Sequence, residues 1–235
     1  MTYEELMQRL QELGSEQTKR TFLRHGAMEP LFGVKVGDLK KLVKYVKEDR
    51  ELAVRLYASG NSDAMYLAGL SIDPKQVSKE LLRQWADEAY WYMIAEYTVA
   101  GVAAESPYAR ELALEWIDSP EEMKAACGWS TYAGYVSITP DSKLPMEEIR
   151  RLLARVRSDI HNEKNRARYA MNGFVISVGT YVRELHEDAI ETGRAIGKVH
   201  VDVGDTACKV PLAEDYIAKI SNRGKVGVKK KTCIC

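Results

Sequence analysis

Three times between Asp73 and Pro120 the chain sets a capping side chain directly before a proline: Asp73-Pro74, Ser106-Pro107 and Ser119-Pro120. Proline suits the first position of a helix, because the N–H it lacks would find no partner there. The residue before it is pushed out of the helical region, where a cap belongs. Each pair therefore predicts a helix start, and starts this close together leave room only for short helices. Ser119 with Glu122 also reads as a capping box, as does Thr2 with Glu5. The spacing predicts helices over about 74–86, 88–104, 107–117 and 120–136.

The flanking sequence has the same texture. Gly37-Asp38 opens Leu39, Leu42, Val43 and Val46 at helical spacing. Asp49 starts a helix that Gly60-Asn61 stops, and Ser62 starts the next. Ile149, Leu152, Leu153, Val156 and Ile160 form the cleanest amphipathic stripe, flanked by Arg150, Arg151, Arg155 and Arg157. Asn162 caps a helix over about 163–181, and another follows over about 183–196. Short helices on short links must run antiparallel. The expected fold is all-α: an α-solenoid of HEAT-like antiparallel helix pairs over 1–196, with an irregular bundle as the alternative. No crisp sequence repeat is visible.

After Gly197 the pattern changes. Val199 to Val203 alternates with polar residues, Gly204-Asp205-Thr206 turns, and a short helix is expected near Tyr216-Ile217. The end, Arg223 to Lys231, is basic and punctuated by glycine. Residues 197–235 are expected to form a short, partly extended appendage with a mobile basic tail.

Lys and Arg number 34, and so do Asp and Glu. The zero balance hides blocks. Lys35–Arg50 holds six basic and three acidic residues, and Glu105–Glu122 six acids and one Arg. Such blocks can fold into one basic face that suits a polyanion, or they can be ordinary solvated helix surfaces. No run approaches a membrane span. The acidic start is no signal peptide and the four Cys read as reduced thiols, so a cytoplasmic protein is expected. Cys233 and Cys235 are two soft ligands, too few for a metal site. There is no phosphate loop, and no strand precedes Gly193–Gly197. No metal or nucleotide cofactor, no membrane and a monomeric chain are expected.

For chemistry the notable stretch is Trp85–Glu96, which sets Trp85, Tyr90, Trp91 and Tyr92 beside Asp87, Glu88 and Glu96. Such a cluster is either core or a platform for stacking bases. His25, His161, His186 and His200 are scattered, and no Ser sits in a nucleophile elbow.

Phe32 to Leu42, with Lys35 at its centre, resembles the loop-to-helix segment of the DNA-alkylation-repair family, the AlkD-type HEAT-like DNA glycosylases. Tyr90-Trp91-Tyr92 is similar to that family's Trp-rich segment, and Met123-Lys124-Ala125-Ala126 to its Arg-Ala-Ala segment. The resemblance spans roughly residues 1–195. It implies a basic concave face that cradles duplex or damaged DNA, and removal of cationic N-alkylated purines by hydrolysis.

This chain departs from the pattern at the residue that matters most. The family carries an Asp four residues after the Trp, where Ala95 stands here. Glu96 is next door but about 100° round a regular α-helix. Lys124 stands for the family's Arg, and Phe174 for its second stacking Trp. The expected DNA-binding residues are Lys35, Trp91, Tyr92, Lys124, Arg166, Arg168, Phe174 and the tail's Lys229, Lys230 and Lys231. Lys124, Arg166 and Arg168 are expected on one face with Trp91. The leading reading is a DNA-binding member with weak or absent glycosylase activity. The alternatives are an active glycosylase for cationic N3- or N7-alkylpurines, with Glu96 as its catalytic carboxylate, and a protein-interaction scaffold. Ala95→Asp is expected to raise any excision.

Overall fold

The computed structural model describes residues 1–234. In chain order the helices are α1 (Tyr3–Leu13), α2 (Glu16–Arg24), α3 (Val36–Leu42), α4 (Arg50–Ala58), α5 (Ser62–Ser71), α6 (Lys79–Glu88) and α7 (Ala100–Glu105). They continue with α8 (Ala109–Ile117), α9 (Glu122–Ile138), α10 (Met146–Asp159), α11 (Asn165–Tyr181), α12 (His186–Ile196) and α13 (Ala213–Ser221). No strand forms among the described residues. Consecutive helices pair antiparallel and stack as a HEAT-like solenoid. α5, α7 with the helical segment Met93–Val99 that runs into it, α9, α11 and α13 pack side by side as one row, and α6, α8, α10 and α12 lie outside them.

The local signals act mostly as their chemistry requires. Thr2 and Glu5 form the capping box. Asp49 caps α4, and Asn61 accepts from Asp63 and Ala64 at the start of α5. The cap–proline pairs start shorter structures than the spacing predicts. Asp73-Pro74 opens only a 3-10 turn, and α6 waits for its own cap, Ser78. Ser106 and Ser119 bond the N–H two residues on, at Tyr108 and Glu121, so the helices begin just beyond the prolines. The Ser119–Glu122 box does not form, and Glu122 reaches instead to the Arg166 N–H at 2.6 Å.

The outer helices show the repeat that the sequence hides. Lys79 and Arg83 on α6 pair with Glu111 and Glu115 on α8, each 32 residues on. Arg110 on α8 and Asp118 at its C-cap pair with Glu148 and Arg155 on α10, at 38 and 37 residues. Arg150 on α10 reaches Asp188 on α12, at 38. Exposed pairs contribute little each, about 0–1 kcal/mol. Their use is register, one unit against the next, and they neutralise the charge of the outer row. Inside, α8 and α9 meet backbone to backbone at Gly128, where a Cβ would lie 2.5 Å from the Ile117 nitrogen.

Two non-helical segments border the inner row. Residues 197–212, the strap, form neither helix nor strand. They cross the helix starts: Asn165 exchanges two hydrogen bonds with Asp202, at 2.7 and 2.6 Å. Residues 225–234 cross the helix ends. Gly227 and Lys230 donate their N–H groups to the Thr180 and Ser137 carbonyls. The Thr232 hydroxyl and the Cys233 and Ile234 N–H groups all reach Glu105. The tail expected to hang free is thus docked, because it supplies donors to carbonyls left unpaired near the ends of α11 and α9 and to the Glu105 carboxylate at the end of α7. Cys235 of the Cys-Ile-Cys end lies outside the described residues. Among those described, no three His, Cys, Asp or Glu side chains converge as metal ligands, and no helix is long and apolar enough to cross a membrane.

Candidate nucleic-acid interface

The stretch Trp85–Glu96 is not one helix. α6 ends at Glu88, the chain turns through Ala89 to Trp91, and it restarts as a π-helix over Met93–Val99 before α7. The aromatic residues part company at this break. Trp85 stacks on Tyr57 in the core, with ring centroids 4.1 Å apart, and receives the Tyr57 hydroxyl on its carbonyl. Trp91 is 4 % exposed and tilts against Phe22. Its indole N–H donates to the His25 carbonyl at 2.7 Å. Tyr90 donates to the Met28 carbonyl at 3.0 Å, and Tyr92 Oη lies 3.2 Å from His25 Nδ1. Three consecutive ring tips are therefore tied to the turn after α2, and this fixes their planes.

That turn is itself held from α5. Asp63 accepts three backbone N–H groups, from Phe32 at 2.6 Å, Gly33 at 3.0 Å and Val34 at 2.8 Å. Burial pushes the Asp63 carboxyl up, and the three donors offset part of this. Gly33 has a positive φ of 77°, and a Cβ there would lie 2.4 Å from the Lys19 nitrogen, so the loop needs glycine. The segment Phe32-Gly33-Val34 is thus an anchor for the aromatic turn.

Opposite the rings stands Arg166, at the start of α11. Its Nε and Nη2 form a fork on Glu96, at 2.8 and 2.7 Å. Its guanidinium carbon lies 4.2 Å from the Tyr92 ring centroid and 4.3 Å from that of Tyr169. The Glu96 side chain is 4 % exposed and that of Arg166 is 12 % exposed. Burial raises the Glu96 carboxyl to about 7, against the pull of Arg166, with Glu122 adding to the rise. The π-turn makes this pairing possible. Its hydrogen bonds run five residues back, as from the Ala100 N–H to the Ala95 carbonyl, so the 100° offset of a regular helix does not apply. Ala95, four residues after Trp91, is fully buried, and Glu96 is the one that emerges beside Tyr92.

These groups enclose a cavity of about 390 Å³. It is lined by Tyr90, Trp91, Tyr92, Tyr97, Tyr169 and Arg166 with Met93 and Met123, and by the exposed Arg24. The strap closes one side with Asp202, Val203, Gly204 and Cys208. Of the residues singled out by sequence, the structure brings Trp91, Tyr92, Arg166 and Glu96 together. The others lie elsewhere. Phe174 is fully buried against Trp129 and Tyr132. Lys124 is paired with Asp87. Arg168, two residues after Arg166, is about 200° away round α11, and its buried Nε has no hydrogen-bond partner among the described residues. Lys35 is exposed at the start of α3. Lys229 is engaged by the Val136 carbonyl at 2.9 Å and Asp141 at 2.7 Å, Lys230 lies over Tyr181, and Lys231 is exposed. Sequence reasoning missed Tyr97, Tyr169, Met123, Arg24 and the strap. The one readable signal was Tyr169, three residues after Arg166 on the same helix face.

A helical solenoid with an aromatic cavity among the starts of its inner helices defines a HEAT-like repeat protein. The sequence matches the DNA alkylation repair enzyme family over residues 6–210, and the chain belongs to that family. It is 37 % identical to the uncharacterized protein Lmo0209 of Listeria monocytogenes over 96 % of this chain and all of that one. It is also 37 % identical to the uncharacterized protein Lin0241 of Listeria innocua, over 95 % and 99 %. A solved structure that is 38 % identical superposes with a TM-score of 0.92 over the whole of both chains. It is described as a new family of proteins related to the HEAT-like repeat DNA glycosylases with affinity for branched DNA structures.

Proposed function

We propose that this protein binds DNA, branched DNA above linear duplex, along its inner face, and excises alkylated bases weakly or not at all. One observation carries the reading: Glu96, the carboxylate beside the aromatic cavity, is already held in a buried fork by Arg166. Glycosidic hydrolysis builds positive charge on the sugar, and a free carboxylate is what stabilises it. Here that charge is answered by the Arg166 guanidinium, which lies against the Tyr92 and Tyr169 rings. The likeness to the structure with branched-DNA affinity supports the binding half. So does the inner row, where a groove beside the docked tail presents the small residues Ser130 and Gly173, and a Cβ on Gly173 would meet nothing within 4 Å.

In this reading the helical platform runs on from residues 1–196 to include α13, and the non-helical segments 197–212 and 225–234 supply a strap and a basic rim. The work is cytoplasmic and needs no metal, no nucleotide cofactor and no second copy of the chain. Titration of a four-way junction and a linear duplex over a salt series tests it. The expected outcome is tighter binding of the junction, with affinity falling steeply as salt rises. Equal, salt-insensitive or absent binding would leave the scaffold reading in its place.

A further inference from the structure

The aromatic cavity has features that DNA-backbone binding alone does not require. At about 390 Å³ it falls within the range of sites that enclose small ligands. Its ring planes are fixed in advance by the bonds of Tyr90, Trp91 and Tyr92 to the turn after α2. Tyr97 stands edge-on to Tyr92, with centroids 6.4 Å apart, and is 44 % exposed, although large apolar rings are usually covered. Arg166 uses Nε and Nη2 on Glu96, and its Nη1 makes no hydrogen bond among the described residues. Arg24 also lines the cavity and is exposed. Asn165 pins the strap wall from both directions, so the site is formed without a ligand.

We propose that this cavity takes one unpaired, undamaged nucleotide from a branched DNA. The inference rests on the DNA-binding reading above and adds to it the group that is recognised. Aromatic faces stack any base, because every base has a π-face, whereas the two arginines offer donors for an adjacent phosphate. The base enters by leaving its stack, a step that costs least where it is already unpaired. No bond is made or broken. A duplex without unpaired bases has nothing to insert, so the cavity favours branch points over linear DNA.

Three DNAs test this with the full chain: a duplex with one unpaired 2-aminopurine nucleotide, the same duplex with that position abasic, and the fully paired duplex. The base-bearing form is expected to bind roughly tenfold tighter than the abasic one, the worth of one base–aromatic stack. Its 2-aminopurine emission should fall on binding. Tyr97→Phe keeps the ring and should keep the ratio, whereas Tyr97→Ala should bring it to one. Equal affinity for base and abasic forms, or a ratio that survives in Tyr97→Ala, overturns the cavity proposal while DNA binding stands. Failure to bind any of the three, or a junction, overturns both.

Discussion

Glu96 and Arg166 each keep the other tolerable in a nearly dry site. Arg166→Ala removes both the fork and the cation, so the Glu96 carboxyl should stay protonated to higher pH and the loss of stability in urea unfolding should grow as pH rises. Arg166→Lys keeps the charge but not the fork or the stacking plane, and should recover only part of this. The pH dependence has a definite sign. The folded carboxyl lies at about 7, above its ordinary 4.5, so its contribution to stability is full below 4.5. That contribution is lost as pH rises through 7. Wild type should therefore lose stability relative to Glu96→Gln between pH 5 and 8, and parallel curves would show that Glu96 does not titrate there. Ala95→Asp, which sequence reasoning offered as a gain of activity, now has the opposite expectation. It would place a charge in the core at a fully buried position, and aggregation or a melting temperature many degrees lower is the expected outcome.

At the scale of elements, helix existence was legible and helix company was not. Caps at Thr2, Asp49 and Asn61 are local chemistry, so they can be read from neighbouring residues. The π-turn at Met93–Val99, the strap and the docked tail answer partners far along the chain, and no local pattern announces them. Asp63 is the clearest case. It reads as one more residue in a helix start, yet it holds the loop that sets the aromatic turn. Asp63→Ala should cost about 3–5 kcal/mol, since three buried N–H groups lose a charged acceptor. An intact melting temperature would show that the loop is held by something else. The tail carries a second prediction. Its donors and cations lie across the carbonyl ends of α7, α9 and α11, where the helix dipoles are negative and would repel phosphate. Lys230 and Lys231 are exposed there. Changing both to Gln should leave melting unchanged and flatten the salt dependence of DNA binding by about 0.9 for each phosphate no longer neutralised. An unaltered slope would mean that the rim faces away from DNA.

Across the whole molecule, charge is sorted by row. The outer helices pair their ions with one another at spacings of 32–38 residues, which makes that surface a poor partner for a polyanion. Exposed cations remain on α3, on the strap and along the tail, and on the outer row at Arg151 and Arg157 of α10. A net charge of zero conceals this, because composition counts charges and folding decides which of them are already paired. The resemblance to DNA glycosylases was legible in three thin motifs, but the site's changed chemistry appeared only when α11 was brought against the π-turn. The most direct test of binding without excision is a single-turnover assay of N7-methylguanine release from duplex DNA, with protein in excess and binding verified in the same tube. The expected result is release no faster than in DNA alone. Robust release by wild type that vanishes in Glu96→Gln would contradict it and make Glu96 the catalytic carboxylate.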